Sequence, residues 1–391
     1  MRNFINDRVG SLPKGFLQFL AAASIFGFSM AVVNAVFNNF LSETFAMGDF
    51  KRGMIELPRE LPGFLVIFIS ALFYFMCNRR FAALANILAA VGIYLVGHFS
   101  VTYAVMLAWL FIFSIGQHIF LPLTQSIGME FAEKGKVGKR LGQLTGASNF
   151  AAIIGSFLIF IGFKYLNFSF SISFTIAALG LAVSSILLFL MQPDKAHPDH
   201  SKFTLRREYS LFYWLNILFG TRKQIFLTFA PWVLVTIFKQ NTAMVATLLT
   251  VGGVIGIVFN PVLGHAIDRF GERRILMTEA AVLIVVCIGY GFSRMLFDEQ
   301  TAFYIAAGCF IADQLLMSVG MARATYLKKI AVKPEDVSQT LTMGITIDHF
   351  FSISIALISG TIWTSFGYQY VFLMAAVIAV MNLISASRIR V

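Results

Sequence analysis

A chain of 391 residues that is 58% hydrophobic, only 13% charged and of mean hydropathy +0.79 cannot fold as a water-soluble globule. Its net charge of +11 is scattered among short polar breaks between apolar runs, so the basic excess serves orientation in a bilayer and not a nucleic-acid surface. Cys77, Cys287 and Cys309 lie in or at the end of apolar runs without Cys-x-x-Cys spacing, which excludes a disulfide framework and leaves small packing residues.

A bilayer span needs about 20 apolar residues, and the chain reads as a series of such runs. Arg2, Arg8 and Lys14 precede span one (16–40) and place the N-terminus in the cytoplasm. Asn34 and Asn38 share one helix face, as helix-packing residues or as a cavity lining. Span two (54–76) opens on Glu56-Leu57-Pro58-Arg59-Glu60, where an internal ion pair can cap the outer rim or form an outer gate. Cys77-Asn78-Arg79-Arg80 follows. Span three covers 81–98 and span four 101–128, with Gln117 and His118 at depth. A buried histidine can be a hydrogen-bonded core residue or a pocket residue. Span five (141–163) contains Gly142, Gly146 and Gly155, and span six (169–191) has no ionisable group. The break 192–209 is the natural hinge between two halves; its His197 and His200 are too weak a pattern for a metal, and none is expected.

Span seven (210–238) is the informative one. Arg222-Lys223 lies about twelve residues in, or about 18 Å at the helical rise. Each such cation costs about 2.5–3.5 kcal/mol at the centre of a membrane helix, so two adjacent ones need a reason. Pro231 further along can kink the helix. Span eight covers 244–263 and span nine 275–292. Span ten (301–327) holds Asp313-Gln314 at mid-depth and Arg323 near its inner edge. Span eleven (337–365) has Asp348-His349 at its centre, and span twelve (370–387) is apolar. Twenty-one Lys and Arg fall on the inner breaks and five on the outer ones, which puts both termini inside.

Spans eight and nine are joined by Gly264-His265-Ala266-Ile267-Asp268-Arg269-Phe270-Gly271-Glu272-Arg273-Arg274. This turn resembles the G-x-x-x-D-R-x-G-x-R-R signature of the major facilitator superfamily. Physically, Gly264 lets a helix end pack closely, Asp268 can cap a helix N-terminus and Gly271 permits a left-handed reversal. The resemblance implies an all-α fold of twelve transmembrane helices in two pseudo-symmetric six-helix bundles, 1–191 and 210–391, joined by a cytoplasmic linker at 192–209. It implies a secondary transporter working by alternating access, with Gly264, Asp268, Arg269, Gly271, Arg273 and Arg274 as a conformational lock. Cys77–Arg80 stands where the family carries a first copy of the signature, but it lacks the central Asp and the glycines. Span five shows Gly146-Ala147 where proton-antiporting members carry Gly-Pro, which weighs against an exporter. The family's lipid-facing helices are the third, sixth, ninth and twelfth; here these four have no ionisable group near their centres.

Two readings of Arg222 and Lys223 stand. Each cation pairs with Asp313 or Asp348 and stabilises the bundle, or at least one binds an anionic group of the substrate. The candidate substrate residues are Arg222, Lys223, Asn34, Asn38, Gln117, His118 and Gln314; the candidate proton-coupling residues are Asp313, Asp348 and His349; Glu56, Arg59 and Glu60 are the candidate outer gate. The expected function is proton-coupled movement of a small anionic or zwitterionic organic solute. A drug/proton antiporter-type exporter, a lipid flippase and a non-transporting solute sensor stay open on the same fold. No G-x-x-x-x-G-K-[ST], H-E-x-x-H or G-x-S-x-G motif exists, so neither an enzyme nor a cofactor is expected. The expected partners are the small-molecule substrate, protons and the lipid bilayer, with no nucleic acid. The expected state is a monomer in a bacterial inner membrane.

Overall fold

The computed structural model describes residues 14–73, 75–132, 137–193 and 206–390. The linker histidines His197 and His200 lie outside them, as do Arg2 and Arg8. The described residues form fourteen α-helices and no strand. In chain order these are α1 (Lys14–Phe45), α2 (Asp49–Met54), α3 (Glu56–Leu72), α4 (Asn78–His98), α5 (Tyr103–Glu130), α6 (Val137–Tyr165) and α7 (Phe170–Leu190). There follow α8 (Ser210–Thr236), α9 (Thr242–Phe270), α10 (Glu272–Leu296), α11 (Glu299–Leu316), α12 (Gly320–Ile330), α13 (Pro334–Phe366) and α14 (Tyr368–Ala386).

Ten stretches are long and apolar enough to cross a membrane, with α11 and α12 together making one of them. The two long helices that fall short are α3 and α8, which carry the charges of Glu56, Arg59 and Glu60 and of Arg222 and Lys223. Together they complete the twelve-helix all-α architecture. Side chains at the breaks explain where helices begin. Thr102 accepts the Val105 amide, Ser169 that of Ile172 and Asn241 that of Met244. Asp298 caps α11 by accepting the Gln300 and Thr301 amides at 3.1 Å each. Hydrogen bonds from Thr301 hold the Asp298 carboxyl below its ordinary pKa.

The chain forms two compact units, Met1–Phe37 with Leu65–Asp199 and Asn38–Phe64 with His200–Val391. The stretch Asn38–Phe64, counted above with the first six spans, thus packs with the second unit. In the first unit α4 is the central helix, packed on α5 and α7 through a stripe of Ala82, Ala83, Ala85, Ala89 and Ala90. Small residues let backbones meet without a hydrophobic force between helices. Asn86 donates to Ser184 Oγ at 2.8 Å, and the Ser184 hydroxyl donates to the Ala22 carbonyl at 2.8 Å. The second unit packs α10 against α14 and α11, and α13 against α8 and α2. One core runs through Tyr209, Phe212, Leu215, Ile267, Leu276, Tyr326 and Leu327. A second centres on Tyr290, whose ring is tilted against Phe372 with centres 4.7 Å apart and whose hydroxyl donates to the Ala230 carbonyl at 2.5 Å.

The α4–α5 contact yields a test. A Cβ at Gly116 would meet the Ala85 carbonyl and the Ala89 amide, backbone atoms that cannot swing aside. Gly116→Ala is therefore expected to destabilise the first unit by about 1–3 kcal/mol, the range of overpacking. Thermal unfolding of purified protein in detergent checks it; an unchanged midpoint contradicts the packing.

Candidate substrate and coupling site

The polar chemistry of the second unit grows from α8. Its consecutive cations point apart, as the turn of about 100° per residue requires. Arg222 pairs with Asp313 of α11, while Lys223 Nζ reaches Asp348 Oδ2 of α13 at 2.5 Å. The two pairs differ in access. The Arg222 and Asp313 side chains are 2% and 5% exposed, those of Lys223 and Asp348 23% and 14%. Arg222 is sealed further by Met317, whose sulfur accepts from Nη2 at 3.8 Å, and by the Phe226 ring. Met317 belongs to a three-residue 3-10 turn, Met317–Val319, that separates α11 from α12 immediately beyond Asp313-Gln314.

Past that break Arg323 lies over the Phe219 ring, 3.5 Å from its centre, and donates to Glu279 Oε2 at 3.0 Å. One turn plus a few residues on, Lys329 reaches Glu272 at 2.8 Å. Glu272 and Glu279 are seven apart on α10 and so share a face. Neither link is readable along the sequence, where Glu279 and Arg323 sit on different spans with nothing to mark them as partners.

Asn38–Phe64 supplies the outer part of the network. Arg52 is one of the five cations that the sequence places on the outer breaks, yet it is wholly buried, because the supposed loop coils into α2 and lies on α13. Its Nε donates to Asn38 Oδ1 at 3.0 Å and its Nη1 to Glu56 Oε1 at 2.7 Å. Glu56 also accepts from Arg59 at 3.2 Å and from Gln224 of α8 at 3.0 Å. Trp232 donates to Asp49 at 2.7 Å, and Glu60 Oε2 lies 2.8 Å from His349 Nδ1. The candidate gate residues Glu56 and Glu60 are thereby tied to α8 and α13. The i, i+4 spacing of Arg52 and Glu56 was the one available signal for this link.

The remaining candidates fall in both units. Asn34 is exposed and belongs to the first unit, while Asn38 is buried against Arg52 in the second. His118 in the first unit bonds through Nδ1 to the Ser114 hydroxyl and carbonyl at 3.0 Å each, and Gln117 is half-buried beside it. Gln314 lies against Gly252, where its Oε1 would be 3.0 Å from a Cβ.

The signature turn corrects two local expectations. Asp268 lies exposed in the last turn of α9, whose helical run continues to Phe270, so it does not cap α10. No described atom comes within 4 Å of where a Gly264 Cβ would stand, so Gly264 is not a close-packing position. Gly271, at φ 80°, makes the reversal and is both the end of α9 and the N-cap of α10. Arg269, Arg273 and Arg274 are exposed, whereas Glu272, passed over in the sequence, is buried and held by Lys329. In the degenerate copy, Arg79 bridges Glu130 at 3.3 Å and the Gln192 carbonyl at 2.6 Å, tying three helix ends of the first unit together.

These features define a polytopic α-helical protein with a charge-paired interior, the build of a membrane transporter. The sequence pattern of the Major Facilitator Superfamily matches residues 61–327 and, overlapping, 212–390. The chain belongs to that superfamily and is a multi-pass secondary transporter that works by alternating access. No curated protein matches the sequence. Among solved structures the fold is similar to the nucleoside transporter NupG, at 13% identity and TM-score 0.72, covering 96% of this chain and 98% of that one. It is similar also to a D-xylose–proton symporter at 14% identity and TM-score 0.71, covering 96% and 97%. The POT family transporter PepTSo gives 13% identity and TM-score 0.75 over 96% and 97%.

The buried acid at the centre of the outer network gives the second test. Glu56 faces two arginines, so Glu56→Ala removes their shared counter-charge inside the protein. Breaking a buried pair from one side costs about 3–5 kcal/mol. Glu56→Ala is expected to lose most of its monodisperse yield on size exclusion, and Arg52→Leu combined with Glu56→Leu to recover part of it. Full yield from Glu56→Ala alone contradicts the assignment.

Proposed function

We propose that the transporter carries a small organic solute bearing a carboxylate or similar anionic group, in step with protons, and that Lys223 and Asp348 are the working pair. The observation that carries this reading is the contrast in access between two adjacent ion pairs. Arg222–Asp313 is closed on all sides and serves the bundle. Lys223–Asp348 keeps a path to its charges, so an anion can take the lysine when Asp348 is protonated. A proton on the aspartate and an anion on the lysine leave the local charge balanced, whereas an anion alone would add uncompensated charge in a low-dielectric interior. His349, joined to Glu60, stands beside Asp348 as a second proton-accepting group. Asn34, Gln117, His118 and Gln314 remain candidate pocket residues. Asp268 with its neighbouring arginines acts at the cytoplasmic end as the lock, and Glu56, Arg59 and Glu60 act as the outer gate. The reading keeps a monomer in a bacterial inner membrane, and the strong inner bias of Lys and Arg supports both termini in the cytoplasm. Two of the solved structures named above carry nucleosides and D-xylose by name, so the fold does not choose among solutes.

Uptake into proteoliposomes, with and without an imposed pH gradient, over a panel of small anions and zwitterions tests the reading. Lys223→Gln is expected to give folded protein that no longer binds substrate. Asp348→Asn is expected to keep exchange and lose the response to the gradient. Arg222→Gln is expected to fail in folding, since it leaves Asp313 buried without its cation. Well-folded Lys223→Gln with normal uptake would overturn the assignment.

A further inference from the structure

The contact between α8 and α13 is built from two polar side chains that each enter a glycine on the opposite helix. A Cβ on Gly220 would fall on Asp348 Oδ1, and a Cβ on Gly344 would stand 2.7 Å from Asn216 Nδ2. The residues are matched in register: Asn216 and Gly220 are one turn apart on α8, and Gly344 and Asp348 are one turn apart on α13. Both glycines are buried and lie in the middle of long helices, where glycine is disfavoured unless a neighbour needs the space. The neighbour at Gly220 is a carboxylate. Its Oδ2 meets Lys223, and its Oδ1 rests in the glycine notch, buried and without a hydrogen-bond donor among the described residues. The notch therefore places the carboxylate without adding a bond to it.

From this geometry we infer that Gly220 is a positioning residue for coupling: its missing side chain is the socket that seats the Asp348 carboxylate on Lys223. The inference rests on the working pair proposed above and adds a residue to it. Gly344 with Asn216 holds the same helix contact one turn away and keeps the two helices in register while the carboxylate is seated or released. Any side chain at position 220 unseats the acid and leaves the lysine amine open. Because Oδ1 has no donor to lose, the aspartate can leave the socket by giving up one bond only, that to Lys223.

The test compares Gly220→Ala in the natural background and in Asp348→Ala. Two readouts are used: reactivity of the Lys223 amine toward an acylating reagent, followed by mass spectrometry, and the thermal midpoint in detergent. Gly220→Ala alone is expected to raise Lys223 labelling several-fold, to lower the midpoint and to abolish the pH-gradient response of uptake. In the Asp348→Ala background the same substitution is expected to change neither labelling nor midpoint. A glycine needed only for helix packing would instead cost the same in both backgrounds and leave Lys223 labelling alone, which overturns the inference. Should Asp348→Ala fail to fold, the midpoint is compared in Lys223→Met with Asp348→Ala, which removes both charges. If no solute in the panel is transported, the working-pair reading fails, while labelling and midpoint still decide the role of Gly220.

Discussion

A charge inside a membrane protein must be neutralised where it stands, and α8 carries two of them side by side. Helical geometry sends Arg222 and Lys223 in different directions, so one helix is bonded to two others, α11 through Asp313 and α13 through Asp348. The rest of the second unit is arranged to make those two bonds possible. The 3-10 break at Met317–Val319 brings Met317 onto Arg222, and Gly220 opens the space into which Asp348 reaches. Further buried cations follow the same rule: Arg323 has Glu279 and Arg52 has Glu56. Such pairs are costly to assemble and more costly to break from one side. They therefore fix which helices must stay together.

The two units use different chemistry for the same task. The first is held by small residues and hydroxyls: α4 lies close to α5 and α7, and Ser184 and Ser185 donate to the backbone of Ala22 and Ala83. Its ion pair Arg79–Glu130 sits at helix ends near the polar breaks. The second unit concentrates its charge at depth. Asn38–Phe64 joins that unit because Arg52, Glu56, Glu60 and Asp49 all find partners there, and Gly53 and Gly360 allow α2 to lie directly on the backbone of α13.

Much of this was legible in the sequence, for reasons of cost. Apolar runs about 20 residues long can only be spans, and Arg222-Lys223 in the middle of one demanded acids, of which Asp313 and Asp348 stood at matching depth. The signature at Gly264–Arg274 marked the family, and Gly271 does make the reversal its position required. What could not be read is pairing between helices far apart in the chain. Glu279 and Arg323 looked unremarkable singly, and Arg52 looked like an outer-loop cation because nothing local says that the loop is helical and buried. Asp268 does not cap α10 because α9 runs on past it, and a charged turn does not reveal how far the preceding helix continues. Gly220 and Gly344 were invisible for a different reason: a glycine in a membrane helix has many uses, and only the side chain opposite tells which one applies.

In the proposed cycle Asp348 takes a proton when an anion takes Lys223. The direct measurement is proton exchange on binding: purified transporter in weak buffer with a pH indicator, titrated with a transported solute at fixed pH. Linkage requires a change in bound protons wherever binding and protonation are coupled. Uptake of about one proton per solute bound, abolished in Asp348→Asn, is the expected result. Tight binding without proton uptake, or the same uptake in Asp348→Asn, would contradict it.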